Sequence, residues 1–255
     1  MFKLTKFVVQ DLLRNWIVLL YMAFLMLAGF GFFMLEGQVD KAILGILNLV
    51  LLLVPMVTII FSTIYYYNMY EFIVLLLAQP LKRKTVLGSI YLGLSISFGL
   101  ALLIGLGLPL LLMHPSAVSV ILLLVSVMLT LVFIALAILA GIWSRDKARG
   151  MGISLLFWVY FVLIFDGIIL MLMYNFSDYP IERGVLFITF LNPVDLGRIL
   201  VLMQTEAAAL MGYSGAIFNK FFNEWWGVLG SMVVLIIWAL IPVGLSFRMF
   251  RHKDL

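Results

Sequence analysis

The sequence predicts an all-α polytopic membrane protein, and three observations carry that prediction. Residues 16–35, 42–64, 86–112, 118–143, 150–174 and 227–247 form six apolar stretches, each near the ~20 residues with which a helix crosses the ~30 Å hydrocarbon core. These stretches are Leu-rich and lack period-two alternation. In lipid only helices and closed barrels satisfy their own backbone polar groups, and the missing alternation excludes the barrel. Third, the positive charge is one-sided. With six spans both chain ends share a side, and that side carries twelve of the 16 Lys and Arg: Lys3, Lys6, Arg14, Lys82, Arg83, Lys84, Arg145, Lys147, Arg149, Arg248, Arg251 and Lys253. The other four, Lys41, Arg183, Arg198 and Lys220, fall opposite, together with Glu36, Asp40, Asp178, Glu182, Asp195, Glu206 and Glu224. By the positive-inside rule the richer side is cytoplasmic, so both termini are expected there.

Composition narrows the function classes. The chain is 65% hydrophobic and 11% charged, against roughly 45–50% and 25% in globular domains. The whole chain therefore reads as one transmembrane domain, residues 1–255. Its net charge of +4 reflects topology and implies no nucleic-acid partner. With no cysteine, disulfides and thiolate metal sites are excluded.

Along the chain, residues 1–15 read as an amphipathic helix. Lys3, Lys6, Gln10 and Arg14 recur at helical spacing opposite Phe2, Phe7, Val9, Leu12, Leu13 and Trp16. Such a helix lies in the interface with its basic face on lipid headgroups; a frayed extension of the first span is the alternative. Between the second and third stretches, residues 65–85 open on Tyr65-Tyr66-Tyr67, expected as an interfacial aromatic cluster. They continue through Glu71 and Phe72 into the apolar run 73–77, then reach Gln79, Pro80 and the basic group Lys82-Arg83-Lys84. The run is too short to cross a bilayer, and Pro80 disfavours helix at Gln79, so a short apolar helix at the inner surface is expected. It serves either as a membrane-hugging connector or as a docking element for a cytosolic protein. In the third stretch, Ser95 and Gly99 form a small-xxx-small pair suited to close helix contact.

Asp166 is the one ionisable residue well inside a span. A charge at that depth must be neutralised, paired or hydrated, which makes Asp166 either a pathway or switch residue or a structural carboxyl bound to a neighbouring helix. Residues 175–226 are far longer than a connector needs and should carry interfacial helices. There Asn192-Pro193-Val194-Asp195 has the form of a helix start, with Asn as cap, Pro in the first turn and Asp at the positive dipole end. Asp195 and Arg198 stand at i and i+3, within pairing reach.

No P-loop, H-E-x-x-H or G-x-S-x-G motif occurs, so nucleotide hydrolysis, zinc proteolysis and nucleophile-elbow chemistry are not expected of this chain. No catalytic residue, metal ligand set or bound cofactor is expected either. Most of the 15 methionines are scattered through the spans as packing residues, and Met113-His114 is the one plausible pair of copper ligands, at which no metal site is expected.

The combined pattern resembles the permeases of the ABC type-two exporter class. The carrying residues are the amphipathic N-terminal segment and Glu71-Phe72-Ile73-Val74-Leu75-Leu76-Leu77-Ala78-Gln79-Pro80-Leu81-Lys82-Arg83, similar to that class's acidic, Leu-Leu-x-x-Pro-x-x-Arg signature. The commoner version has Gly-Thr where this chain has Glu71-Phe72. Phe165-Asp166, Leu191 to Leu196 with Arg198, and the basic C-terminal end resemble the permeases of nitrous oxide reductase maturation transporters. The resemblance implies an elbow helix at 1–15, a coupling helix within 65–85 and a periplasmic segment at 175–226. It implies docking of cytosolic ATPase subunits through Glu71, Phe72, Val74, Leu75, Gln79, Pro80 and Arg83. It further implies a homodimer in a bacterial inner membrane, two ATPase subunits that hold ATP and Mg, and a periplasmic accessory protein. The cargo or force so handled would serve copper–sulfur cluster assembly. An exporter for a drug, lipid or polysaccharide is the alternative, and an intramembrane enzyme at Asp166 or a passive channel stands further off.

Overall fold

In the computed structural model, residues 2–79, 81–144, 146–176, 182–205 and 225–252 are described, apart from the side chains of Glu182, Arg183, Val185, Leu186, Trp225 and His252. Helix α1 (Phe2–Leu13) ends before Asn15, whose Oδ1 accepts from Ile17 N at 3.0 Å and so caps α2 (Trp16–Leu35). Helix α3 (Val39–Asn68) is followed by the short α4 (Tyr70–Leu77). The third span is α5 (Arg83–Gly105) continued by α6 (Gly107–Met113), and the fourth is α7 (Ala117–Trp143). The fifth is α8 (Lys147–Val159), a π-helical turn (Tyr160–Ile164) and α9 (Phe165–Asn175). Two short helices follow, α10 (Glu182–Thr189) and α11 (Pro193–Leu202), and α12 (Trp225–His252) closes the chain. Six helices or continued helices are thus long and apolar enough to cross a membrane. Each predicted stretch lies within one of them; the first coincides with its helix, and the others are lengthened by one to several residues at their ends.

The bundle is organised on α7, the most enclosed span, which packs against α3, α5, α8, α11 and α12. It has small or branched apolar residues all round, and buries nearly everything from Val132 to Ile142. A helix apolar on every side belongs in the centre. By contrast α2, span five and α12 leave most of their surface uncovered.

The approaches of α1 and α2 to span three depend on glycine. A Cβ on Gly105 would lie 2.6 Å from the Met22 carbonyl oxygen, so α2 reaches span three only because that side chain is missing. Gly93 gives α1 its seat, because a Cβ there would collide with Val8. Within the chain Gly99 does not make the predicted close contact: no atom lies within 4 Å of a Cβ built on it. The glycine contacts of α5 are therefore made at Gly93, with α1, and at Gly105, with α2.

Spans two and five are joined by hydroxyl and indole groups. Thr63 and Ser154 share a hydrogen bond of 2.7 Å, and Trp158 Nε1 donates to Leu52 O at 3.2 Å. Pro55 interrupts the hydrogen bonding of α3, and Thr58 Oγ1 donates to Val54 O at 2.7 Å beside it.

The tyrosine run departs from expectation. Tyr66 is fully buried against Gly141 and Tyr65 is buried too, its Oη donating to Asp11 Oδ2 at 3.1 Å. Only the glycine opposite lets so large a ring enter the bundle. Likewise the inward line of α1 is Val8 and Leu12, whereas Phe2, Phe7 and Trp16 stay exposed.

Candidate functional site

Two groups of residues stand apart from ordinary packing, one at each end of the bundle. The first lies at the basic face and centres on α4. Ile73 is buried, and Leu76 and Leu77 pack on the core, while Glu71, Val74, Leu75, Ala78 and Gln79 point away from it. This is the i, i+3/i+4, i+7 spacing of one helix face, and its most prominent member, Leu75, is 67% exposed. Phe72 is half-buried, with its ring 5.7 Å from that of Phe7, so α4 rests on α1. Pro80 lies outside the described residues.

The chain on either side of α4 is wired into the spans. Before it, Tyr67 Oη donates to Ser144 O at 3.1 Å and Lys147 Nζ donates to Asn68 Oδ1 at 3.1 Å, reaching the connection between spans four and five. After it, Arg83 Nη1 donates to the carbonyls of Phe250 and Arg251 at 3.2 and 3.3 Å. Those carbonyls end α12, where a helix lacks internal donors and its dipole favours a cation. Arg83 therefore ties the segment after α4 to span six, a contact that sequence reading, which placed it on a docking surface, did not reveal.

The second group lies at the opposite end. Asn192 caps α11, its Oδ1 accepting from Val194 N at 2.9 Å, with Pro193 in the first turn. The Asn192 Nδ2 donates to Phe161 O on span five and to Asp195 Oδ2, both at 2.8 Å. Arg198 Nη1 meets Asp166 Oδ2 at 2.7 Å and stands 3.3 Å from Asp195 Oδ1. Span six joins the group through Trp238, whose Nε1 donates to Phe190 O at 3.1 Å and whose ring packs edge-on against Phe161. Gly197 faces Val125 of α7 so closely that a Cβ would stand 2.7 Å from its Cγ1. Helix α11 is thus inserted among spans two, four, five and six without crossing the bilayer.

The π-helical turn explains how span five serves both contacts. Residues five apart in an α-helix point about 140° away from each other at ~3.6 residues per turn. A π-helix, bonded i to i+5, brings them to nearly one side. Phe161 and Asp166 are such a pair, and the Phe165 amide does bond the Tyr160 carbonyl. Without this insertion, span five could not present the carbonyl and the carboxylate to the same short helix.

Burial separates the members of this group. Asn192 is fully buried and the Asp195 side chain only 5% exposed, whereas Asp166 and Arg198 are 30% and 31% exposed. Burial first, and the neighbouring Asp166 second, push the Asp195 carboxyl up to about 8, against the opposing pull of Arg198 and Asn192. Sequence reading paired Arg198 with Asp195; the shorter contact is with Asp166, 32 positions earlier in the chain. A signal existed, since a lone acid in one span and a lone base beside a helix start are natural partners, but nothing in the sequence showed the turn that aims them together.

A family model described as "ABC-2 family transporter protein" matches residues 72–255, from α4 to the end of the chain. The chain is also similar to the "Probable ABC transporter permease protein NosY" of Pseudomonas aeruginosa, 27% identical over 124 residues. That match covers 49% of this chain and 44% of the relative. Because the family match takes in well over half of the chain, including α4 and the α11 cluster, this protein belongs to the ABC-2 transporter family, as a membrane permease subunit.

Proposed function

We propose that this chain is the permease of an ATP-driven transporter whose nucleotide hydrolysis takes place in separate cytosolic subunits. The observation that carries the reading is the outward face of α4. It is an apolar strip with an acidic residue beside it, on a helix too short to enter the membrane and wired on both flanks to the spans. Two ATPase subunits, holding ATP and Mg, dock through Glu71, Phe72, Val74, Leu75, Gln79, Pro80 and Arg83. Movement of α4 then reaches span six through Arg83 and span five through Asn68 and Lys147. Helix α1 acts as an elbow under α4. The basic face is cytoplasmic, in a bacterial inner membrane, and the opposite face is periplasmic. Two copies pair in the membrane, a reading supported by the apolar surface that α2, span five and α12 leave uncovered.

The similarity to NosY supports the finer reading that the transporter serves copper–sulfur cluster assembly of nitrous oxide reductase, with a periplasmic accessory protein over residues 175–226. In a strain lacking this chain, nitrous oxide reductase should be recovered without that cluster, and a fully loaded enzyme would rule the assignment out.

The docking reading is tested by co-expression with the cognate ATPase. Leu75→Asp and Glu71→Lys should each reduce recovery of the ATPase at least about tenfold, the effect of losing ~1.4 kcal/mol of binding. The elution of the permease itself should not change, because both side chains point away from the bundle. Undiminished co-purification by both variants would refute docking through α4.

A further inference from the structure

We propose that the crevice between spans three and six, at the basic end of the bundle, holds one anionic phospholipid, its acyl chain lying between α5 and α12 and its phosphate between Lys84 and Arg251. The floor of the crevice is α7, at Ala135 and Ile138, and its walls are α5 and α12. Leu87 and Tyr91 face it from α5, and Val243 and Phe247 from α12, each pair at i and i+4 on one helix face. Its space is about 180 Å³, counting the open side. Apolar walls left without neighbours forfeit their dispersion contacts, and in a bilayer an acyl chain supplies them. Ser246 lines the same crevice, and its buried Oγ has no hydrogen-bond partner among the described residues. Elsewhere in the bundle Ser97, Ser126 and Ser231 donate to the carbonyl four residues back, at 2.8, 2.6 and 2.8 Å. A buried hydroxyl without such a bond is costly, and the ester carbonyl of a lipid is an acceptor that relieves it.

The cations stand at the mouth of this crevice. Lys84 comes three and seven residues before Leu87 and Tyr91, and Arg251 comes four and eight after Phe247 and Val243. Both therefore lie on the helix faces that line it, about one turn nearer the surface. Counted from the middle of their spans, Arg83–Met113 and Trp226–Arg251, they stand about 21 and 19 Å from the bilayer centre at ~1.5 Å per residue. That is headgroup depth, since the hydrocarbon core ends near ~15 Å and the polar zone near ~20–22 Å. By the same measure the four wall residues lie at about 7–17 Å, among acyl chains and glycerol esters. Arg83 fixes the mouth, because its bonds to the carbonyls of Phe250 and Arg251 hold the two span ends together. Lys84 and Arg251 are both exposed, and neither enters an ion pair among the described residues. Residues 82–84 and 248–254 carry six Lys or Arg against a single acid, Asp254, so the patch complements an anionic headgroup far better than a zwitterionic one. On the orientation read above the lipid belongs to the inner leaflet, and it neutralises the cations beside the joint that ties α4 to span six.

The probe is phosphatidylglycerol, titrated into the full chain in mild detergent and counted as bound lipid by native mass spectrometry, with phosphatidylcholine as the zwitterionic reference. The unaltered chain should retain one phosphatidylglycerol in preference to phosphatidylcholine. Each cation beside an anionic headgroup contributes about fivefold, so Lys84→Gln combined with Arg251→Gln should weaken that binding ~25-fold. Lys147→Gln combined with Arg149→Gln removes the same charge from the same end, on α8 where it packs on α3 and α7, and should weaken it less than about twofold. Val243→Phe fills the crevice from its open side with every charge in place. It should weaken binding at least about tenfold, the effect of keeping two methylenes out. All the altered side chains are exposed or half-buried, so folding is kept. Equal loss in the two charge pairs would show diffuse attraction to the basic end and overturn the site. Binding undiminished by Val243→Phe would overturn the crevice. A dimer that Val243→Phe splits into monomers would overturn the lipid as occupant and assign the crevice to a second copy of the chain. None of these outcomes bears on ATPase docking through α4, and loss of that docking leaves the lipid site standing.

Discussion

Replacing Asn192 puts the distal cluster to a quantitative test, because one buried side chain makes three hydrogen bonds in it. Its Oδ1 caps α11 at Val194 N, and its Nδ2 reaches Phe161 O and Asp195 Oδ2, at 2.9, 2.8 and 2.8 Å. Loss of the cap costs about 1 kcal/mol. Removing the donor from a buried carboxyl costs a further ~1–3 kcal/mol, and losing the bond to Phe161 about 1 kcal/mol more. Since the three share one side chain, their sum is not strictly additive, and Asn192→Ala should cost about 3–5 kcal/mol in all. At ~2–4 °C per kcal/mol for a chain of this size, the melting temperature should fall by roughly 6–20 °C. Asn192→Ser keeps an oxygen at the cap and should recover about 1 kcal/mol of that loss. Asn192→Asp also keeps the cap but sets a second carboxyl against Asp195 and the Phe161 carbonyl, so it should be no better than Ala near neutral pH. The assay is thermal unfolding in nanodiscs followed by tryptophan fluorescence, with Trp238 as a reporter in contact with the cluster. If Asn192→Asp melts with the unaltered protein, the donor side of the amide holds nothing and the description of the cluster is wrong.

Two further outcomes follow from other parts of the structure. Asp195 is raised to about 8 from an ordinary value of 3.8, so between those values the folded chain binds more protons than the unfolded one. Its stability should then fall as pH rises through that window, and Asp195→Asn should flatten the slope; an identical pH profile for the two proteins would contradict this. Among glycines of α5, Gly105→Ala forces a methyl against the Met22 backbone carbonyl and should lower the melting temperature. Gly99→Ala meets nothing within 4 Å and should raise it slightly through helix propensity, by up to about 1 kcal/mol. Reversal of that order would show that α2 does not pack on span three as described.

The sequence by itself determined the six spans and the helix start at Asn192-Pro193. It also determined that a short helix stands before Lys82-Arg83-Lys84. These follow from terms local to the chain: apolar length against bilayer thickness, capping by an amide side chain, and the conformational rules around proline. Only the tertiary structure decided which residues those elements bring together. Tyr66 looked interfacial, yet Gly141, 75 positions away, makes room for it inside the bundle. Arg83 looked like part of a docking surface, and nothing in the sequence showed that it also bonds the carbonyl end of α12. Asp166 looked unpartnered until a π-helical turn, which no periodicity in residues 150–174 announces, rotated it towards Arg198. The physical reason is common to all three. Hydrophobic length and capping are properties of a segment, whereas an ion pair, a glycine seat or a rotated carbonyl depends on distances between segments that only packing sets.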